Sequence, residues 1–282
     1  MKTYVLYNKL SGNGAGEAAA KKAAESWRNK DRVLQNVLEL QDYKAFLGGL
    51  APEDELLLCG GDGTLNHFAN DVDGLELKND VYFCPTGTGN DFWRDLDKTP
   101  EDGPCKINEY LKHLPTVRVN GMTRKFINGV GYGIDGYCCE VADKLRETSD
   151  KPINYTGIAI KGLLFHYKPT TATVEVDGKK TVYEKAWLAP TMYGRFYGGG
   201  MMAAPNQKRL AKDPTVSVMV MQGAGRLPTL IAFPKIFKGE HVNNKMTHVH
   251  TGKRVKVSFD RPVALQIDGE TVLNVKEYSV SF

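Results

Sequence analysis

Apolar positions in the first third of the chain fall into short continuous runs, at residues 3–8, 55–59 and 81–84, each the length of a buried strand. Elsewhere the spacing is that of one helix face: Ala20, Ala23, Ala24 and Trp27, then Leu65, Phe68, Ala69 and Val72, then Ile107, Tyr110, Leu111 and Leu114. Strands alternating with helices through short links predict a largely parallel sheet covered on both faces, a three-layer α/β domain. Past Thr116 the strands become neighbours. Residues 171–176 and 181–185 flank Asp177-Gly178, a strong hairpin signal, and 186–193, 216–222, 255–259, 263–267 and 277–282 also read as strands. Two helices interrupt them. One carries Ile134, Tyr137, Cys138, Val141 and Leu145 as its stripe, and the other lies near 228–237. The pattern predicts an α/β domain over residues 1–118 and a mainly antiparallel β-rich domain over 119–274, with the cleft between them as the expected ligand site.

At 282 residues the chain is long enough for two domains with proper cores. No apolar run reaches the 18 residues of a membrane span, and the first residues form a strand rather than a signal-peptide core. The net charge of +4 is mild and dispersed, compatible with anionic nucleotides or membranes but too small to indicate nucleic acid. Five cysteines, two of them adjacent at Cys138 and Cys139, make neither a disulfide framework nor a zinc spacing. The expected setting is reducing and cytoplasmic.

Two loops carry the chemistry. The strand at 55–59 runs into Gly60-Gly61-Asp62-Gly63-Thr64, and a helical stripe follows at once. Unpaired backbone N–H groups and the helix dipole at such a turn favour an anion such as phosphate, and glycine lets the backbone approach it. Asp62 itself has three readings: it orients the loop, holds a cation or takes a proton. The next strand ends in Pro85-Thr86-Gly87-Thr88-Gly89-Asn90-Asp91-Phe92. Two neighbouring strands ending in such loops describe the nucleotide crevice of an open α/β sheet. Thr64 and Thr88 are candidates to donate hydroxyls to phosphate oxygens or to cap the helices behind them, and Asn90 and Asp91 are open to the same two readings.

Taken together, these loops resemble the diacylglycerol kinase catalytic-domain family, which includes bacterial lipid kinases, sphingosine kinases and ceramide kinases. The resemblance extends to Asn8 and Ser11-Gly12 after the first strand, to the run from Asn128 to Asp135, to Gly198-Gly199-Gly200-Met201 and to Asp268-Gly269-Glu270. It implies a nucleotide-binding α/β domain and a β-sandwich domain in the manner of NAD kinases and diacylglycerol kinases, with the last strands near 275–282 returning to the first domain. It implies ATP and Mg²⁺ as cofactors and a lipid at the membrane surface as phosphoryl acceptor. Asn8, Ser11, Gly60, Gly61, Asp62, Gly63, Thr64, Gly87, Thr88, Gly89 and Asn90 would then bind the nucleotide. Glu270 and Asp62 are rival candidates for the base that deprotonates the lipid hydroxyl, with Glu270 preferred. Asp135 and Asp91 could converge with Asp62 on a hydrated Mg²⁺, since carboxylates beside a triphosphate need a cation. In the family a structural metal is held at an Asp-Gly-x-Leu-Asp pattern. Here Asp213 matches, with main-chain carbonyls of Leu210 and Thr215, but Pro214 and Ser217 replace the glycine and the second acid.

His67 is a further departure, standing where the family usually has Glu. The apolar stretch 153–167, with Phe196, Tyr197, Met201 and Met202, is the expected wall for acyl chains, although a buried helix accounts for most of it. Lys208, Arg209 and Lys212 are the expected basic contacts for transient peripheral binding to a membrane. A homodimer is allowed but not indicated. An NAD kinase, or a lipid-binding protein that has lost transfer activity, are the competing readings.

Overall fold

Strand, helix and strand alternate through the first 114 residues and give way to nearly continuous strand pairing after them. The computed structural model describes residues 1–87, 89–149, 153–223 and 225–282, and the expected site residue Thr88 lies outside them. The chain divides into two compact units, Met1–Leu114 and Pro115–Phe282.

In the first unit, β1 (Thr3–Tyr7), β2 (Arg32–Asn36), β3 (Glu55–Gly60), β4 (Asp80–Pro85) and β5 (Cys105–Lys106) form one sheet in the order β2-β1-β3-β4-β5. The first four are parallel and β5 runs antiparallel to β4. Its helices are α1 (Ser11–Gly14), α2 (Gly16–Glu25), α3 (Tyr43–Gly48), α4 (Asp62–Asp71), α5 (Asp91–Asp95) and α6 (Asn108–Leu111). Side chains alternate across the sheet as strand geometry requires. Val5, Tyr7, Leu57 and Cys59 pack on Ala20 and Ala24 of α2, with Trp27 and Tyr82 at the rim. The intervening Leu6, Leu58 and Phe83 are fully buried, and Phe83 meets Phe92 of α5 edge-on at 5.9 Å. This is the expected layered α/β arrangement. The sequence pattern does not reveal β2, an edge strand buried only at Asn36, its last residue.

The second unit holds β6 (Thr116–Val119), β7 (Met122–Lys125), β8 (Gly129–Tyr132), β9 (Thr170–Val176), β10 (Lys179–Leu188), β11 (Thr191–Met192), β12 (Val216–Gln222), β13 (Thr247–Gly252), β14 (Arg254–Ile267) and β15 (Glu270–Ser281). Every pairing among them is antiparallel. The long strand β14 pairs with β9 through its first half and with β8 through its second, so the ladder β14-β8-β11-β12-β10-β9 closes on itself. The hairpin expected at Asp177-Gly178 joins β9 to β10, and both turn residues take positive φ. The last strand pairs with β14 and β6, inside this unit's own sheet rather than in the first unit's. Among the described residues, three α-helices complete the unit: α7 (Ile134–Arg146), α8 (Tyr155–Lys161) and α9 (Arg226–Ala232).

Candidate active site

The expected nucleotide residues of the first unit, Thr88 aside, lie at the carboxyl edge of its parallel sheet, at and just after the ends of β1, β3 and β4. Three contacts bind these loops together. Ser11 Oγ meets Thr64 Oγ1 at 3.2 Å, joining the first loop to the second. The Thr86 N–H donates to the Gly60 carbonyl at 2.8 Å. Gly61 and Gly87 touch through their backbones, and a Cβ on Gly87 would come within 2.6 Å of the Gly61 Cα. Two glycine-rich segments can approach this closely only because neither carries a side chain. Gly60 is equally confined, since a Cβ there would lie 2.4 Å from that of Thr64. Asn8 accepts from the Leu10 N–H through its side chain at 2.9 Å, shaping the first loop.

Asp62 opens α4, and its side chain crosses to the third loop. Oδ2 accepts the Asp91 N–H at 2.8 Å and Oδ1 accepts the Phe92 N–H at 2.9 Å. Those are orphan donors at the start of α5, so Asp62 caps a helix thirty residues away. Of the three readings, orientation is the one with visible partners. The N-cap of α4 is Gly61, which has no side chain to cap the helix, so backbone lines the start of α4. Gly63 sits in its first turn, and Gly89 lies close enough to Asp62 that a Cβ would be 3.3 Å from Oδ2. Asn90 adopts the left-handed conformation, donates from Nδ2 to the Gly87 carbonyl at 2.7 Å, and keeps Oδ1 buried without a hydrogen-bond partner among the described residues. Asp91 is buried, with Arg94 at 3.7 Å. His67 is exposed on α4.

In the second unit, Glu270 begins β15 just past the Asp268-Gly269 turn. The Arg124 guanidinium engages both of its oxygens, with Nη2 donating to Oε1 at 3.1 Å and Nη1 to Oε2. The turn is fixed by Asp268, whose carboxylate accepts the N–H groups of Ile127, Asn128 and Gly129 at 2.5, 2.8 and 2.9 Å. Arg209 braces the same segment, donating to the Ile127 carbonyl and, at 2.6 Å, to Asn128 Oδ1. Arg209 is therefore buried and structural, and the expected basic trio is split, with only Lys208 and Lys212 exposed. Sequence reasoning did not find Arg124 or assign Asp268 its anchoring role, because their partners lie some 140 residues away in the chain.

Asp135 lies in the first turn of α7, buried, and accepts the Tyr197 hydroxyl at 2.8 Å. Burial pushes its carboxyl up to about 7, against the opposing pull of that hydrogen bond. Tyr197 is itself pushed up, first by burial and then by the Asp135 charge. Among the described residues no group of three or more His, Cys, Asp or Glu side chains is placed to hold a metal ion. The set expected around Asp213 does not fit one either. Leu210 and Asp213 are exposed, and the Asp213 carboxylate is paired with the Lys253 ammonium at 2.5 Å. The Thr215 carbonyl accepts the Gln207 amide at 2.6 Å, and the same Gln207 receives the Ser217 hydroxyl at 2.7 Å. Side-chain donors thus already engage two of the three expected oxygen ligands, at Asp213 and Thr215.

The expected acyl wall divides in two. Leu163, Tyr167 and Tyr197 join Ile134, Trp187 and Ile236 in a buried core, with Met201 packed at its margin, while Tyr155, Ile160 and Phe165 face solvent.

Comparison with known proteins agrees with this layout. Residues 2–120 match the diacylglycerol kinase catalytic domain, and residues 128–278 match the YegS C-terminal NAD kinase beta sandwich-like domain. The chain belongs to the diacylglycerol kinase catalytic-domain family. It is similar to a diacylglycerol kinase of Mycobacterium tuberculosis, 25% identical over 95% of this chain and 88% of that protein. It is also similar to a diacylglycerol kinase of Bacillus subtilis, 28% identical over 77% of this chain and 71% of that one. The crystal structure of a diacylglycerol kinase from Bacillus anthracis shares the fold, with a TM-score of 0.61 and 18% identity over 99% of this chain and 93% of its own.

Proposed function

We propose that this protein is a lipid kinase that transfers the γ-phosphate of ATP to a lipid hydroxyl, with diacylglycerol or a related glycerolipid or sphingoid lipid as acceptor. The observation that carries the reading is the linked pair of glycine loops, Gly60–Thr64 and the one that holds Gly87, Gly89 and Asn90, locked by Asp62 at the carboxyl edge of a parallel sheet. In this reading the uncapped start of α4 cradles phosphate oxygens, with the Ser11 and Thr64 hydroxyls beside it. The buried Asn90 Oδ1 is left to receive a donor. Asp62 acts as a positioning residue, since both its oxygens are engaged by backbone N–H groups.

Phosphoryl transfer asks a protein mainly for positioning and for charge stabilisation. Mg²⁺, when bound, would neutralise charge on the β- and γ-phosphate oxygens. Glu270 is the proposed proton acceptor for the lipid hydroxyl, and Arg124 holds its carboxylate in place. Asp135, buried against Tyr197, supports the β-rich domain rather than a metal. The family membership and the diacylglycerol kinases among its relatives support the same reaction class.

The test is consumption of ATP by the purified protein with a panel of detergent-dispersed lipid alcohols and, in parallel, with NAD. Lipid-dependent turnover is expected. Turnover with NAD alone would make the protein an NAD kinase, and ATP binding without turnover on any acceptor would make it a non-catalytic binding protein.

A further inference from the structure

Two segments of the β-rich domain, residues 153–168 and 225–239, contain no Asp or Glu. The first comprises α8 and a five-residue π turn (Gly162–His166), and the second comprises α9 and the 3₁₀ segment Phe233–Lys238. They are stitched together, because Arg226 at the start of α9 donates from Nη1 to the Leu163 carbonyl in the π turn at 2.6 Å. Each buries one side in the same core, through Leu163 and Tyr167 from the first and Ile236 from the second. The π turn closes with the Tyr167 N–H donating to the Gly162 carbonyl at 2.8 Å, and the wide turn leaves Phe165 pointing away from that core.

The other side is unusual for a surface. Phe165 is 69% exposed, Leu227 63%, Ile231 65% and Phe237 45%. Leu227 and Ile231 stand one turn apart on α9, so they share a face. Single exposed apolar residues need no explanation, but large ones gathered on two bonded segments do. Lys161, Lys168, Lys235 and Lys238 are exposed around them. A face that pairs large apolar side chains with lysines, on segments whose nearest carboxylate in the second stretch is Glu240 just past its end, is complementary to an anionic bilayer, which offers acyl chains below and phosphates above. No helix among the described residues is long and apolar enough to cross the membrane, so contact of this kind would lie in the interface plane.

We propose that α8, the π turn, α9 and the following 3₁₀ segment form the membrane-docking surface of this protein, with Phe165, Leu227 and Ile231 entering the interface of an anionic bilayer and the lysines resting on its headgroups. The proposal rests on the lipid-kinase reading and relocates the docking face away from Lys208, Arg209 and Lys212.

The experiment is flotation of the intact protein with vesicles of phosphatidylcholine alone or of phosphatidylcholine mixed with phosphatidylglycerol, without ATP. Wild type is expected to float with the mixed vesicles and not with the neutral ones. Reversing Lys161, Lys235 and Lys238 to Glu should weaken that binding by about 100-fold. Replacing Phe165, Leu227 and Ile231 with Gln should weaken it by at least about tenfold, with an unchanged urea midpoint for a surface change. Sedimentation without lipid checks the alternative occupant. If wild type is a dimer and the Gln variant a monomer, the face is an interface between copies and the proposal falls. If wild type ignores mixed vesicles yet phosphorylates detergent-dispersed lipid, the docking face falls while the kinase reading stands. If it floats as described but phosphorylates no lipid in either dispersal, the docking face stands and the kinase reading falls.

Discussion

Asp62 gives both carboxylate oxygens to the backbone of the next loop, at Asp91 and Phe92, and so acts on the loop before it acts on any ligand. Asp62→Asn keeps one acceptor and turns an NH₂ group against an N–H. It should lower stability by about 1–3 kcal/mol through the unpaired donor, and weaken ATP binding as the loops separate. Urea unfolding and calorimetric titration with ATP measure the two effects, and a variant unchanged in both would remove the positioning role. Glu270 makes a different demand. If it accepts the hydroxyl proton, Glu270→Gln should cut kcat by about 10²–10⁴-fold with ATP affinity retained, whereas near-normal turnover would pass the role to another group. Asp135 predicts a pH effect. Its carboxyl is held up at about 7 by burial, against an ordinary value of about 4 in the unfolded chain. The folded state therefore binds the extra proton, and this contribution is fully present below about pH 4 and is lost as pH rises toward 7. The slope is at most about 1.4 kcal/mol per pH unit. Asp135→Asn should flatten the fall in stability over that window, and parallel curves for wild type and variant would contradict it.

At the scale of elements, the parts legible in the sequence are those whose cause is local. The strands β1, β3 and β4 announce themselves as apolar runs, and the two glycine loops are visible because their close backbone approach excludes a side chain at Gly87 and crowds one at Gly61. The hairpin at Asp177-Gly178 follows from its turn chemistry alone. What the sequence hides is made by distant partners. The ion pair of Arg124 with Glu270 spans 146 residues, and Arg209 looks like a surface cation until its guanidinium is seen buried against Asn128. The same holds for Asp213, whose carboxylate meets Lys253 from the turn between β13 and β14. Asp268 is the clearest case, a turn residue by pattern and a three-fold acceptor in space. Asp268→Ala should therefore destabilise the β-rich domain by about 2–4 kcal/mol, more than loss of a plain turn residue, since each stranded N–H costs about 1–3 kcal/mol. A shift in urea midpoint no larger than that of an exposed Asp→Ala control would show that water satisfies those donors.

At the scale of the whole molecule, two units of different construction carry two tasks. The α/β domain places the linked glycine loops at one edge of a sheet, and the β-rich domain fixes an acidic turn and carries the apolar, lysine-rimmed face. Both lie within a chain that the two matching domain families together cover almost end to end. The central claim is that the linked glycine loops deliver the γ-phosphate of ATP to a lipid hydroxyl. The most direct measurement incubates the protein with γ-labelled ATP and detergent-dispersed diacylglycerol, then follows label into the organic phase, for wild type and for Gly61→Val. The account predicts labelled phospholipid with wild type and a loss of at least about 100-fold in the variant, because a side chain at Gly61 meets the Gly87 Cα while the strands beneath stay intact. Label that remains in the aqueous phase for every lipid alcohol offered, or transfer that survives in Gly61→Val, would contradict it.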